Sequence, residues 1–234
     1  MQFATTHWSA VLAARLPGSL EAQAALAELC RAYWTPVFAY LRREGHDHHA
    51  AEDLAQAFFE RLLRKNLIAS ADPAKGRFRS FLLTALKHFV ADERDKSQTL
   101  KRGGGLIFVS FDALPPEQRQ WLEPVEHSTA ETAFERQWAW SVLERSRNRL
   151  REEYVAAAKV ELYDWLRCLE GVDGETPSYP EAAAALHLTE VALRSAAYRY
   201  RRRHLQLVRD EVTQTIGNAA EVDAELRHLI SVLQ

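Results

Sequence analysis

The stretch SYPEAAAALHLTEVALRSAAYRYRRRHL, Ser178 to Leu205, reads as two helices joined by a tight turn. Ser178 and Glu181 stand at capping-box spacing, with Pro180 in the first turn, where its missing N–H costs little. The first helix is expected to end near Leu186–His187. Thr189 then caps a second, longer helix, with Leu188 and Leu193 at hydrophobic-staple spacing. A short helix, a tight turn and a longer helix form a helix-turn-helix signature.

Placing the second helix on a wheel of ~100° per residue separates two faces. Leu193, Ala196, Ala197, Tyr200, His204, Leu207 and Val208 share one side, which predicts a core stripe. Arg194, Ser195, Tyr198, Arg199, Arg201, Arg202 and Arg209 share the other. No acidic residue lies between Val191 and Arg209, so no carboxylate within that span can offset its arginines at four-residue spacing. A solvated helix face is the bland explanation. A helix that enters the major groove explains the charge better: N-terminal side chains reach base edges, and further arginines neutralise phosphates. Arg194, Ser195 and Tyr198 are the expected base or near-base contacts, and Arg199, Arg201 and Arg202 the expected phosphate contacts.

The whole chain is close to neutral, with a formal net charge of −2 over 234 residues. That average conceals strong segregation. Arg64 to Arg102 holds ten Lys/Arg and four Asp/Glu, whereas Asp112 to Glu135 holds six acids and one Arg. A hydrophobic content of 47% and a charged content of 26% fit a globular protein with a real core. No apolar run approaches the ~20 residues of a bilayer span and no signal pattern opens the sequence, so a cytoplasmic protein is expected. Cys30 and Cys168 lack metal or disulfide spacing and read as reduced, buried thiols.

Apolar residues recur at helical spacing almost throughout, and the short LIFVSF (Leu106 to Phe111) is the one strand-like run. Helices are expected in TTHWSAVLAARL, over Glu21–Arg43, from Asp47 as N-cap to about Arg64, and over Arg77–Lys96. Beyond the linker they are expected over Glu131–Arg149, over Arg151–Leu169, in the helix-turn-helix pair and at the C-terminal end. KRGGG and LPPEQ mark the best linker. The fold class is therefore all-α, with two helical domains joined by a flexible linker. The expected divisions are 1–96, a linker 97–130, a second domain 131–212 and an extension 213–234.

In the first half, AEDLAQAFFERLLR turns Ala51, Leu54, Ala55, Phe58 and Leu62 inward and leaves Asp53, Gln56, Glu60 and Leu63 outward. The next helix is expected to bury Phe78, Phe81, Leu82, Ala85 and Phe89 and to leave Arg79, Lys87 and Lys96 free for an anionic partner.

These segments resemble a known family. AEDLAQAFFERLLR is similar to the polymerase-binding segment of region 2 in extracytoplasmic-function (ECF) sigma factors, members of the sigma-70 family. FRSFLLTALKHFVADERDK looks like the promoter −10 segment that follows it, and YPEAAAALHLTEVALRSAAYRYRRRHL is similar to region 4, which reads the −35 element. The long linker and the C-terminal extension resemble a divergent group of that subfamily. The resemblance implies a factor that is not itself an enzyme and needs no cofactor. It would bind the β′ clamp of core RNA polymerase, direct it to promoter DNA and help melt the −10 element. An anti-sigma protein is a possible further partner of such a factor. Carried over by position, Asp53, Gln56 and Glu60 contact the polymerase, and Lys75, Arg77, Arg79, Lys87 and His88 line the −10 site. Arg194, Ser195, Tyr198, Arg199, Arg201 and Arg202 read the −35 element. The chain departs from the family at Phe81 (often Trp), at His88 (often Asn), in the mixed ERDK after Ala91–Asp92, and at His187, where Gly is usual.

Two rival readings exist. One is a helix-turn-helix regulator that never joins the polymerase, for which an exposed Asp53/Gln56 face has no use. The other is a metal enzyme built on His46, His48, His49 and Asp53, a weak case because a metal site needs several converging ligands and a supporting shell. Trp138, Trp140 and Trp165 fit core positions. The C-terminal NAAEVDAELRHLISVL is amphipathic, with Val222, Leu226, Leu229, Ile230 and Leu233 as its apolar stripe. Packing onto the second domain is the plain expectation for it. Its acidity adds a second one, that it shields a basic DNA-binding face.

Overall fold

The computed structural model describes residues 11, 20–100, 129–171, 176–216 and 219–234. Among these residues there are helices and turns and no strand. TTHWSAVLAARL except for one residue, the KRGGG and LPPEQ segments and LIFVSF lie outside the described residues. Two compact units emerge: residues 1–141 together with 213–234, and residues 142–212.

The first unit opens with α1 (Leu20–Arg43), α2 (His48–Arg64) and α3 (Phe78–Leu100). Asp47 caps α2 as expected, its carboxylate accepting from Ala50 N at 2.8 Å. Asn66, at φ 48°, follows the end of that helix. Two short 3₁₀ turns, Leu67–Ser70 and Pro73–Lys75, then carry the chain to α3, and Asp72 Oδ1 accepts from Ala74 N at 3.0 Å. Apolar side chains from the three helices form the core: Tyr33, Phe38, Leu41, Phe58, Leu62, Phe78, Leu82, Leu86 and Phe89 are all buried. Their rings meet edge-on, Tyr33 against Phe78 with centroids 5.4 Å apart and Phe58 against Phe89 at 5.6 Å. Edge-to-face contact adds about 0.5–1.5 kcal/mol per pair beyond area burial. Phe81 and Ala85, expected inside, are half-buried, while Leu86 and Val90 take buried places. On a wheel of 100° per residue Phe81 and Ala85 stand at one edge of the expected stripe and Leu86 and Val90 beyond the other, so the buried face is that stripe turned about the helix axis.

The same unit contains the first turns of α4 (Ala130–Ala156) and all of α8 (Val222–Leu233). Residues 131–141 and 213–234 were expected to belong to a second domain and to an extension beyond it. Phe134 and Trp138 of α4 are buried at 0% and 1% exposure, and with Val222 and Leu229 of α8 they belong to the buried residues of the first unit.

The second unit comprises the rest of α4, α5 (Val160–Cys168), α6 (Tyr179–Ala185) and α7 (Glu190–Thr215) up to Val212. No break occurs at Leu150. That residue is fully buried and α4 runs on to Ala156, ending at Ala158 with φ 54° and Lys159 N donating to Tyr154 O at 2.8 Å. The capping box at Ser178–Glu181 is present, and Thr189 Oγ1 accepts from Ala192 N at 3.2 Å. His187 takes the left-handed conformation at φ 52° in the turn, a conformation for which His is enriched among non-Gly residues. Ala182 and Ala183 of α6 and Ala196 and Ala197 of α7 are buried in one cluster with Leu193, Leu166 and Leu207; small side chains there permit close helix packing. Tyr154, Tyr163 and Tyr200 meet pairwise at 5.7, 6.0 and 5.8 Å.

Two polar groups of this unit, Glu211 and Ser146, are buried and joined to partners. Glu211 takes Arg149 Nη1 at 2.8 Å and Arg145 Nε at 3.2 Å, and His204 Nε2 lies 3.1 Å from Ser146 Oγ. Burial, reinforced by the Arg147 charge, holds the His204 pKa below its ordinary value of 6.5. The unfolded chain then binds that proton more readily than the fold does. The contribution of neutral His204 is therefore complete above the ordinary value and is lost as pH falls through the depressed one. Between about pH 7.5 and 5, wild-type stability followed by amide exchange of residues 190–212 should fall more steeply than that of His204→Gln.

Candidate nucleic-acid interface

The charged face of α7 is where the wheel placed it. Arg194, Ser195, Tyr198, Arg199, Arg201 and Arg202 are exposed, while Leu193, Ala196, Ala197, Tyr200, Leu207 and Val208 are buried beneath them. Three of the arginines find carboxylates just outside the acid-free span. Arg194 Nε donates to Glu190 Oε1 at 2.9 Å, Arg203 Nε to Glu153 Oε2 at 2.9 Å, and Arg201 Nε lies 3.8 Å from Glu170. Arg201 also donates to Tyr179 Oη at 2.9 Å, and the Arg194 guanidinium sits 4.4 Å from the Tyr179 ring centre. Hydrogen bonding from Arg203 holds the Glu153 carboxyl below its ordinary range. Arg199 donates to Ser195 Oγ at 2.9 Å. Arg202 is exposed and makes no hydrogen bond or ion pair with any other described residue. Exposed pairs of this kind contribute about 0–1 kcal/mol, so a phosphate can displace the carboxylate at little cost.

Sequence reasoning missed the apolar part of this face. Val191 and Leu205 are 78% and 70% exposed and stand seven residues either side of Tyr198, itself 64% exposed. The seven-residue spacing was the available signal. Such side chains suit thymine methyl groups in a major groove.

On α2, Asp53, Gln56 and Glu60 are exposed on one face above buried Ala51, Ala55, Phe58 and Leu62. Glu52, on the same helix, is almost buried, with His48 Nε2 at 3.5 Å and His49 Nδ1 at 3.7 Å from its oxygens. The histidines therefore face a carboxylate. No group of three or more His, Cys, Asp or Glu able to hold a metal occurs among the described residues.

The basic residues around α3 divide sharply. Lys75 and His88 are exposed. Lys87 bonds Glu131 at 2.7 Å and lowers that carboxyl's pKa, and Lys96 bonds Glu93 at 2.6 Å. Arg79, expected to be free, is 2% exposed. Its Nε donates to Glu135 Oε2 at 2.8 Å, its Nη2 lies 3.3 Å from Glu225 Oε2, and its Nη1 is paired with the other oxygen of Glu225. Its guanidinium carbon lies 4.0 Å from the centre of the Trp138 ring, within cation–π range. Burial lowers its pKa and the Glu135 charge opposes that shift. Arg77 Nε reaches Glu225 Oε2 at 3.0 Å, and His228 Nε2 lies 3.0 Å from Glu135 Oε2. Glu225 has no exposed surface. The α8 stripe is thus not purely apolar: Glu225 takes a buried position while Ile230 is left 55% exposed.

Residues 29–99 match the family model for sigma-70 region 2. That segment covers α1 from Leu29, all of α2 and nearly all of α3, and it supports a sigma-70 family protein. No curated protein and no solved structure gives a significant match. No helix among the described residues is long and apolar enough to cross a membrane.

Removing one member of a buried charge group leaves the others uncompensated, at about 3–5 kcal/mol. Arg79→Ala should cost about that much in urea denaturation of the full chain. Arg79→Met combined with Glu225→Met should recover a substantial part of it. Equal stability of Arg79→Ala and wild type would contradict the buried cluster.

Proposed function

We propose that the chain is an ECF-type sigma factor that binds core RNA polymerase, directs it to promoters and assists opening of the −10 element. The observation that carries this reading is the region 2 match over residues 29–99, whose α2 presents Asp53, Gln56 and Glu60 together on an exposed face. In this reading that face docks on the β′ clamp. A regulator that never joins the polymerase has no use for it.

The loop from Asp72 to Arg77 and the polar side of α3 then hold unstacked −10 bases. Single strands are held by basic grooves with bases stacked or pocketed; Lys75, Arg77, Arg79 and Lys87 supply the cationic side, and His88 lies beside them. Helix α7 enters the major groove of the −35 element. Arg194, Ser195 and Tyr198 meet base edges, and Arg199, Arg201 and Arg202 meet phosphates. The reaction chemistry belongs to the polymerase, and the factor supplies recognition and strand capture. It would work in the cytoplasm, where an anti-sigma protein could also bind it.

Transcription in vitro with purified bacterial core polymerase tests this directly. Promoter-specific initiation should depend on the chain and be lost in Asp53→Ala/Gln56→Ala, with the helical content of the variant unchanged. Initiation that survives the double variant contradicts the assigned face, and no initiation at any promoter favours the regulator.

Arg202→Ala should weaken duplex binding across sequences and reduce the slope of log affinity against log salt by about one, the signature of a single phosphate contact. Thermal stability should be unchanged, because Arg202 has no partner among the described residues.

A further inference from the structure

Helix α8 is held in the first unit by apolar contacts and by charge together. Its residues buried to under a tenth are Val222, Glu225 and Leu229, and one of those three is a carboxylate. Glu225 spans Arg77 at 3.0 Å and Arg79 at 3.3 Å, with a second, closer contact to Arg79. Arg136 Nε of α4 adds a bond to Val232 O at 3.2 Å. A 12-residue helix is marginal on its own, and a buried ion pair yields little net stability once desolvation is counted. The helix is thus specified in position yet weakly attached. A carboxylate between two guanidiniums also has the charge and acceptor geometry of a nucleic-acid phosphate.

We infer that α8 is an internal competitor for promoter DNA: Glu225 occupies, as a phosphate mimic, the Arg77/Arg79 site that captures the −10 strand. Glu131 plays the lesser part at Lys87, 2.7 Å away and near the solvent. In this state the −10 surface keeps Lys75 and His88 exposed while its two arginines are engaged. Strand capture requires Glu225 to leave, so the apparent affinity for single strands is reduced by the fraction of molecules with α8 released. The inference rests on the sigma reading of α3 and adds to it a closed state of the free protein. It also assigns the acidic helix to the −10 face of the first unit instead of the arginine helix of the second.

The test uses the full chain and a fluorescent 12-nucleotide single-stranded DNA of randomised sequence. Affinity is measured for wild type, Glu225→Gln and the control Asp223→Asn, which neutralises an exposed acid on the same helix. Amide exchange of residues 222–233 reports release of α8 independently. Glu225→Gln should exchange faster over those residues and bind at least about fivefold more tightly than wild type, the lower end of usual coupling between two sites. Asp223→Asn should stay within about twofold on both readouts, since surface charges act weakly. Faster exchange in Glu225→Gln with unchanged affinity overturns the competitor role and leaves the sigma reading standing. An equal gain in Asp223→Asn overturns it too, because general charge would then explain the effect. Absence of binding by every form, with α8 shown to be released, overturns the −10 assignment and the closed state together.

Discussion

A guanidinium at 2% exposure cannot be left without counter-charge, and Arg79 organises much of the first unit through that requirement. Its partners come from 56 and 146 residues further along the chain, Glu135 on α4 and Glu225 on α8. The Trp138 ring covers the guanidinium 4.0 Å away, and Arg77 and His228 complete the cluster through the same two carboxylates. This need is one physical reason why the unit is discontinuous in sequence. Three helices with an aromatic core carry the region 2 match, and the start of α4 and all of α8 join them around one buried cation.

Charge is used differently in the second unit. There the buried group is Glu211, bound by Arg145 and Arg149, while the arginines of α7 stay at the surface. Their partners Glu190, Glu153 and Glu170 flank the face without filling it. Exposed pairs exchange readily for phosphate, whereas a buried pair resists because each ion is desolvated and fixed. The two clusters therefore assign two roles to the same residue type. In the proposed reading, the surface arginines meet a polyanion directly, whereas the buried arginine is a site that must first be vacated.

Local signals in the sequence carried most of the fold. The Asp47 cap, the Ser178–Glu181 box and the Thr189 cap act within one turn, so residue type and spacing suffice to place them. The two faces of α7 and the outward Asp53, Gln56 and Glu60 follow from 3.6-residue periodicity alone. The misses came where long-range charge overrode pattern. Arg79 looks solvent-facing when only its own helix is considered, because the carboxylates that bury it are far along the chain. Glu225 looks polar on the wheel and is the most deeply buried residue of α8. The uninterrupted α4 was missed for another reason: Leu150 anchors it in a core whose other walls are α5, α6 and α7.

The central claim is that α2 offers a docking face to core RNA polymerase. Amide exchange of residues 48–64 in the full chain, with and without stoichiometric purified core enzyme, addresses it most directly. Slowed exchange centred on Asp53 to Glu60 is the expected result. Unchanged exchange in that helix at polymerase concentrations that saturate a known sigma factor would contradict the account.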